Sequence, residues 1–378
     1  MTAKAGASTP SVPPPRPTTP RLFRPIDWFT FLIVTAVVML GYYLTLSPDL
    51  GLEDSGELAV ASLYGGIPHP PGYPVWTMYT YLWANYVPFH NIAWRVALGS
   101  AFAGALACGL IGLVVSRGSS MMIEGIEGLK NIDRKWENAI CVVSGYVAGM
   151  LLGFNGYMWS QAIIVEVYSL SVLSLMGVLV FLLRWIYAPK QRRYLYWAFF
   201  VFGLCFTNHQ TLIVAAMGLI IAVTACDYRL GRHMCLWTAA AYICGLILHA
   251  RGMMMNETNQ MVFFIFNIVG VAAIAGYIVL AVKTNTTFHE LCLDCCFVGF
   301  LAGSLMAVVW GQLKGLAALV AAASFVGIVV FAVQTWKTNR EWTVVIICFV
   351  LWVVGAAFYL YMPLAGMSTP PMQWGYPR

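Results

Sequence analysis

Runs of about 20 apolar residues, separated by short polar turns, recur along this chain. Of its 378 residues, 60% are hydrophobic and 10% are charged, a composition typical of a polytopic membrane protein and not of a soluble one. Such a run is as long as an α-helix must be to cross the hydrocarbon core. The sequence therefore predicts an all-α polytopic membrane protein with about eleven transmembrane helices. The predicted spans are 28–46, 97–116, 139–157, 169–188, 194–207, 210–227, 234–250, 261–282, 296–312, 316–335 and 342–363.

Lys and Arg residues gather in alternate loops, and this pattern predicts the orientation of the chain. The N-terminal tail, the turn at 190–193 and the turn around Lys337 fall on one side of the membrane, which the positive-inside rule makes cytosolic. Residues 47–94 contain no Lys or Arg and fall on the opposite, outer side. The net charge of +6 thus reports topology, and we expect no nucleic-acid partner.

This orientation divides the chain into three segments. Residues 1–26 are predicted to be a disordered basic cytosolic tail, because they hold too little apolar surface to fold. Residues 27–366 form the transmembrane domain, within which 47–96 is the first lumenal loop. Residues 367–378 are predicted to be a lumenal C-terminal tail. The glycosylation sequon that begins at Asn256 also falls on the outer side.

The first outer loop carries four carboxylates, namely Asp49, Glu53, Asp54 and Glu57. Ionisable groups are costly beside hydrocarbon, and their presence there indicates a functional site. Asp54 and Glu57 share one helical face at i and i+3, so that one carboxylate would act as the general base for an acceptor hydroxyl and the other would orient the acceptor. The alternative is a capping box, with Asp54 as the N-cap residue and Glu57 reaching back to it.

A proline-rich turn, Pro68-His69-Pro70-Pro71-Gly72-Tyr73-Pro74, follows the acidic segment. The prolines make this turn stiff, and they fix the positions of His69 and Tyr73, which we take as candidate substrate-binding residues. The imidazole of His69 would donate a proton to a phosphate leaving group. The alternative is a rigid loop corner whose His is only solvated. The aromatic stretch from Trp76 to Tyr86 predicts an amphipathic helix that its rings anchor at the membrane interface.

Three further candidates lie in or beside predicted outer turns. Glu166 either completes the acidic site as a third catalytic carboxylate or acts as a helix cap and dipole partner. His209, in the turn Asn208-His209-Gln210, either contacts phosphate or sugar or belongs to a loop that satisfies helix ends. Arg95, at the start of the second span, either snorkels or binds a lipid phosphate.

The segment from His289 to Cys296 contains a CxxC pattern with His and Asp nearby. No second CxxC accompanies it, and the segment falls on the cytosolic side. We therefore predict no metal site and no cofactor.

Four stretches together resemble one protein family: LEDSGELAVASLYGGIPHPPGYPVW after the first span, VEVYSL at the second outer turn, GLCFTNHQTL between later spans, and PMQWGYPR at the end. Over roughly residues 27–378, the chain resembles the transmembrane protein O-mannosyltransferases that modify IPT domains of plexin-type receptors, and their bacterial relatives.

The resemblance implies a GT-C-type glycosyltransferase that moves a sugar, mannose above all, from a polyprenyl-phosphate carrier to a protein hydroxyl on the lumenal side. It also implies that Asp54 is the base, with Glu57 as its neighbour. Glu166 matches the acid of the family's second outer loop, and His69 and His209 match motif positions. The expected membrane is that of the endoplasmic reticulum, or the inner membrane if the protein is bacterial.

Two other functions remain open at this point. The family continues past the WGYPR segment into a lumenal region, whereas this sequence stops at Arg378. A non-catalytic membrane subunit on the same scaffold, which binds lipid and partner proteins in a membrane complex, is therefore the alternative. A transporter is disfavoured, because the predicted spans contain almost no ionisable groups at their centres.

Overall fold

A computed structural model describes residues 21–253 and 260–374 of the chain. Most of the predicted N-terminal tail, the sequon at Asn256 and residues 375–378 of the predicted C-terminal tail lie outside the described residues. Those that are described form α-helices, three short 3-10 turns and an isolated β-bridge, which confirms the all-α fold class.

Fifteen α-helices occur within the described ranges. They are α1 (Pro25–Leu44), α2 (Ser55–Tyr64), α3 (Pro74–Tyr86), α4 (Ile92–Gly125), α5 (Arg134–Gly153), α6 (Gly156–Ala162), α7 (Tyr168–Tyr187), α8 (Arg193–Asn208), α9 (Ala215–Cys226), α10 (Tyr228–Ala250), α11 (Gln260–Lys283), α12 (Phe288–Val309), α13 (Lys314–Thr335), α14 (Glu341–Ala356) and α15 (Tyr361–Met367). The 3-10 turns Gln210–Val214, Gly311–Leu313 and Ala357–Leu360 lead into α9, α13 and α15.

Eight helical segments of the described chain are long and apolar enough to cross a membrane. They are Pro25–Leu44, Ile92–Gly125, Tyr168–Tyr187, Tyr228–Ala250, Gln260–Lys283, Phe288–Val309, Gly311–Thr335 and Glu341–Met367. The pair α5 and α6 makes a ninth if it counts as one span with a 67° bend. These segments confirm a polytopic membrane protein.

The predicted count of about eleven spans is too high by this criterion, although each predicted span overlaps a helical segment. The predicted span 139–157 is broken, because the side chain of Asn155 accepts the backbone N–H of Met158 at 2.9 Å and so starts α6 as a new helix. The two predicted spans at 194–227 become α8, which has 16 residues, and the short apolar segment Gln210–Cys226.

Close packing of glycines against neighbouring helices holds α1, α4 and α5 together. A Cβ atom added at Gly145 of α5 would lie 2.5 Å from the carbonyl oxygen of Gly112 in α4. Another added at Gly149 would lie 2.4 Å from a methyl group of Val34 in α1. Small residues at such positions let helix backbones approach closely in a membrane. The three helices therefore form a tight scaffold, on which the loop between α1 and α4 packs.

The loop between α1 and α4, which the sequence predicted to be the first outer loop, folds into α2 and α3, and these pack against each other and against α4. A buried hydrogen bond of 2.8 Å from the hydroxyl of Ser62 to that of Thr80 joins the two helices. The helix predicted from Trp76 to Tyr86 thus exists, but Trp76 is buried, whereas Tyr86 is exposed. The ring of Trp76 therefore holds the loop on the bundle and does not anchor it in lipid.

The ends of the helices define two ends of the molecule. The site end carries α2, α3 and the turns before α7 and after α8, and the basic end carries Arg24, Arg192 and Arg232. At the basic end, Arg232 of α10 is buried and lies 3.4 Å from the carboxylate of Glu290 in α12. This buried ion pair joins α10 to α12 at the basic end.

Candidate functional site

Three stretches of the chain that are distant in sequence meet at the site end. They are the start of α2 with the loop that follows that helix, the turn between α6 and α7, and the turn after α8. The hydroxyl of Ser55 at the start of α2 donates to the carbonyl oxygen of Val165 at 3.3 Å. This bond places the acidic segment beside Glu166, an arrangement that was one of the two alternatives left open by the sequence.

Asp54 is the residue before α2, but its side chain makes no capping hydrogen bond. Its carboxylate is 57% exposed and stands at the open side of the cluster. Glu57 does not reach back to Asp54 either, because its carboxylate is bound to His69. The capping-box alternative is therefore wrong, and the carboxylate of Asp54 is free of any role in starting the helix.

The carboxylate of Glu57 holds His69 through two hydrogen bonds. The backbone N–H of His69 donates to Oε1 of Glu57 at 2.7 Å, and the ring Nδ1 lies 2.6 Å from the same oxygen. Because an ionised carboxylate can only accept, Nδ1 carries a proton and Nε2 points away from Glu57. Nε2 lies 3.9 Å from the carboxylate of Asp54. Glu57 thus fixes both the position and the tautomer of the imidazole.

Tyr73 completes the contacts of this imidazole. Its hydroxyl lies 3.0 Å from Nε2 of His69. Burial, together with Tyr168 and the nearby carboxylates, raises the pKa of Tyr73 to about 12. The phenol therefore keeps its proton at neutral pH. Its O–H group donates a hydrogen bond to Nε2 when His69 is neutral.

The loop between α2 and α3 needs glycine at two positions. Gly65 ends α2 with φ of +61°, and Gly72 precedes Tyr73 with φ of +86°. Both values lie in the left-handed region, where a residue without Cβ is favoured. Tyr73 itself has φ of +39°, a strained conformation for a residue with a side chain. The strain accompanies the placement of its hydroxyl on His69.

Glu166 lies in the turn before α7, and only 4% of its surface is exposed. One carboxylate oxygen accepts the backbone N–H of Val167 at 3.1 Å. Burial raises the pKa of Glu166 to about 7; the Val167 N–H opposes this rise, while the charges of Glu53 and Asp54 reinforce it. Val167, and not Glu166, occupies the N-cap position of α7. Glu166 is thus a buried carboxyl group that gains or loses a proton near neutral pH.

His209 joins the cluster from the turn after α8. Its ring stacks on that of Tyr73, with centroids 6.4 Å apart, and lies 5.5 Å from the ring of Tyr168. Burial lowers the pKa of His209, so the ring is neutral at pH 7. Tyr168 belongs to the VEVYSL stretch, but no pattern in that stretch predicts that its ring contacts His209.

Arg95 is not brought to this cluster. Its guanidinium group donates to the carbonyl oxygens of Phe89 and Ala84 at 3.0 and 3.1 Å, which ties the end of α3 to the start of α4. Ala84 lies ten residues along α3 from Pro74, about 15 Å from the end that carries Tyr73. The placement therefore gives Arg95 a structural contact and does not favour the substrate-binding role predicted for it.

The other two acids that the structure describes in this loop, Asp49 and Glu53, make no contact of this kind with the imidazole of His69. The carboxylate of Asp49 accepts the backbone N–H of its neighbour Leu50 at 2.8 Å. Glu53 is exposed and has φ of +67°. Neither has a hydrogen bond to His69 in the described structure.

Within residues 21–253 and 260–374, no group of three or more His, Cys, Asp and Glu side chains is arranged to hold a metal ion. The CxxC pattern, formed by Cys292 and Cys295, lies along α12, where Cys295 is exposed and Cys292 is partly buried.

The comparisons with known proteins concern the same part of the chain. Residues 54–232 match the family model described as the N-terminal domain of protein O-mannosyl-transferase TMEM260. The matched range contains every candidate site residue predicted from the sequence, from Asp54 at its first position to His209. No solved structure matches the chain significantly.

Two curated relatives carry the same name. Protein O-mannosyl-transferase TMEM260 of Mus musculus is 33% identical over 138 residues, which are 36% of this chain and 17% of the mouse protein. The Dictyostelium discoideum protein of that name is 34% identical over 76 residues, which are 20% of this chain and 9% of that protein. The match thus covers less than a fifth of the length of either relative. Residues 54–232 are thus similar to the N-terminal domain of protein O-mannosyl-transferase TMEM260.

Proposed function

We propose that this protein transfers a mannosyl group from a polyprenyl-phosphate carrier to a hydroxyl group of a protein acceptor on the outer, lumenal side of the membrane. The family supports the sugar and the protein acceptor, since the relatives are named protein O-mannosyl-transferases. The apolar helices around the site support a donor carried by a lipid.

One observation carries the proposal: Asp54 has an exposed carboxylate that caps no helix and stands 3.9 Å from an imidazole whose tautomer Glu57 fixes. A hydroxyl group is a weak nucleophile at neutral pH, and a positioned base raises its reactivity. Asp54 is the carboxylate of the cluster that an acceptor can reach, because Glu57 is bound to His69 and Glu166 is buried.

The reaction that follows from this geometry is a displacement at C1 of the sugar. The acceptor oxygen forms a bond to C1 while its proton passes to the carboxylate of Asp54. The bond from C1 to the phosphate oxygen breaks, and its electron pair stays on the polyprenyl phosphate that leaves.

His69 is placed to assist this departure. When it is protonated, both ring nitrogens donate, Nδ1 to Glu57 and Nε2 to an oxygen of the leaving phosphate. The hydroxyl of Tyr73, 3.0 Å from Nε2, is a second donor for the same phosphate. In this proposal Glu57 is a positioning residue, and Asp54 and His69 are the groups that touch the reacting atoms.

The remaining members of the cluster would bind the sugar. The stacked rings of Tyr73 and His209 present an aromatic wall of the kind that packs against the apolar face of a pyranose. The carboxyl of Glu166 is protonated in part near neutral pH, so that it is able to donate or accept a hydrogen bond to a sugar hydroxyl. In this proposal, His69, Tyr73 and backbone groups donate hydrogen bonds to the charged phosphate. We therefore expect transfer without a metal ion.

The test is transfer of labelled mannose in membranes that contain this chain, compared with membranes from the same cells without it. We expect label to pass to protein from dolichyl-phosphate mannose and not from a nucleotide-linked mannose, with unchanged rate in EDTA. Transfer from the nucleotide sugar would contradict the proposed donor, and loss of transfer in EDTA would contradict the metal-independent mechanism. No transfer from either donor would favour the non-catalytic membrane subunit.

A further inference from the structure

The segment 370–374, which follows the last helix, runs beside the loop that carries His69. The backbone N–H of Ile67 donates to the carbonyl oxygen of Met372 at 2.9 Å, and the N–H of Trp374 donates to the carbonyl oxygen of Ile67 at 2.9 Å. These bonds form a parallel β-bridge between Ile67 and Gln373. We call residues 370–374 the C-terminal strap.

The loop has few backbone donors with which to hold itself. Pro68, Pro70 and Pro71 have no N–H group. The N–H of Ile67 is bound by the strap, and the N–H of His69 is bound by the carboxylate of Glu57. The backbone on both sides of Pro68 is thus fixed by partners outside the loop, one of which is the strap.

The side of the loop that faces the strap is also shaped to fit it. A Cβ atom at Gly66 would lie 2.7 Å from the carbonyl oxygen of Met372. The hydroxyl of Tyr361 in α15 donates to the carbonyl oxygen of Gly66 at 3.4 Å. A Cβ atom at Gly72 would lie 2.7 Å from the terminal methyl group of Met362. The end of the chain therefore contacts this loop before and after His69.

We propose that the C-terminal strap is a positioning element of the active site, which keeps His69 on Glu57 and Tyr73. Its effect on transfer rests on the proposed function, while its effect on the loop does not. The strap lies outside the matched range 54–232. Part of the strap belongs to the PMQWGYPR stretch, which resembles the family but lies outside that range.

The bridge offers a matched pair of variants at Trp374, whose side chain is exposed and whose N–H donates to Ile67. Trp374→Pro removes this N–H, whereas Trp374→Ala removes the ring and keeps the N–H. Hydrogen exchange of the full chain in membranes or detergent reports on the amides of Ile67 and His69. We expect exchange there to rise about tenfold in the Pro variant and to stay within about twofold of wild type in the Ala variant.

Gly66→Ala provides an independent variant, because the added methyl group displaces the carbonyl of Met372 without changing any hydrogen-bonding group. Its control is Gly56→Ala in α2, where a Cβ atom meets nothing within 4 Å. We expect faster exchange at Ile67 and His69 in Gly66→Ala and no change in Gly56→Ala.

Transfer of mannose in the same preparations tests the functional half of the proposal. We expect the maximal rate to fall about tenfold more in Trp374→Pro than in Trp374→Ala, with less change in KM for the donor. Unchanged exchange at Ile67 and His69 in both Trp374→Pro and Gly66→Ala would overturn the proposal that the strap holds this loop. Faster exchange with equal transfer by the Pro and Ala variants would overturn its positioning role. A wild-type chain without transfer would refute the proposed function, and the exchange data alone would then decide whether the strap holds the loop.

Discussion

At the scale of single residues, the site is defined by carboxylates in unlike surroundings. Asp54 is exposed and makes no capping bond, whereas Glu57 is bound to an imidazole and Glu166 is buried in a turn. Environments that differ this much assign different roles to the same functional group. Exposure suits a base that must meet an acceptor, and burial suits a group that shares a proton with a bound sugar.

The pKa of Glu166 leads to a prediction about stability. An unfolded Glu titrates near 4.3, whereas folding raises the pKa of Glu166 to about 7, chiefly through burial. Well below pH 4, Glu166 is protonated in both the folded and the unfolded state, and its titration does not change the free energy of unfolding. As the pH rises towards and beyond 7, Glu166 ionises first in the unfolded chain, and the folded state loses up to about 4 kcal/mol of stability relative to it.

Glu166→Gln removes this dependence. We expect the variant to be no more stable than wild type at pH 4.5 and clearly more stable at pH 8, as measured by thermal unfolding in detergent at both values. Glu127→Gln serves as the control, since the side chain of Glu127 is 96% exposed. An effect of Glu166→Gln that is equal at the two pH values would contradict the raised pKa.

At the scale of helices, glycines at the contacts of α5 with α4 and α1 let the backbones touch, and these helices support the site from below. Gly145→Ala places a methyl group 2.5 Å from the carbonyl oxygen of Gly112, so we expect a loss of about 1–3 kcal/mol in the free energy of unfolding. Gly118→Ala in α4, where a Cβ atom meets nothing within 4 Å, should be neutral or slightly stabilising. Equal melting temperatures for the two variants in detergent would show that the close contact does not stabilise the bundle.

At the scale of the whole molecule, the sequence predicted the fold class and the helical segments, and it selected Asp54, Glu57, His69 and Glu166 as candidates without deciding between their alternatives. Hydropathy identifies helices because length and apolar character are local properties. It did not predict the break at Asn155 or the short α8, since both depend on how a helix ends. Arg95 was a candidate for substrate binding, whereas its guanidinium group binds backbone carbonyl oxygens. The position of a lone cation in a loop does not indicate which carbonyl groups it will contact. The bridge from Ile67 to Gln373 joins residues that are remote in sequence, and no local pattern signals such a contact.

The central claim is that the carboxylate of Asp54 accepts the proton of the acceptor. Its most direct test compares transfer of mannose by Asp54→Asn and Asp49→Asn at equal expression in the same membranes. Because the side chain of Asp54 makes no capping hydrogen bond, Asp54→Asn removes the base without weakening α2. Asp49 is a matched control, because it is an acid of the same loop that binds its own neighbour.

We predict that Asp54→Asn lowers the maximal rate at least about 100-fold, as expected for the loss of a general base, and that Asp49→Asn stays within about twofold of wild type. Transfer by Asp54→Asn at the wild-type rate would contradict the assignment of Asp54 as the base.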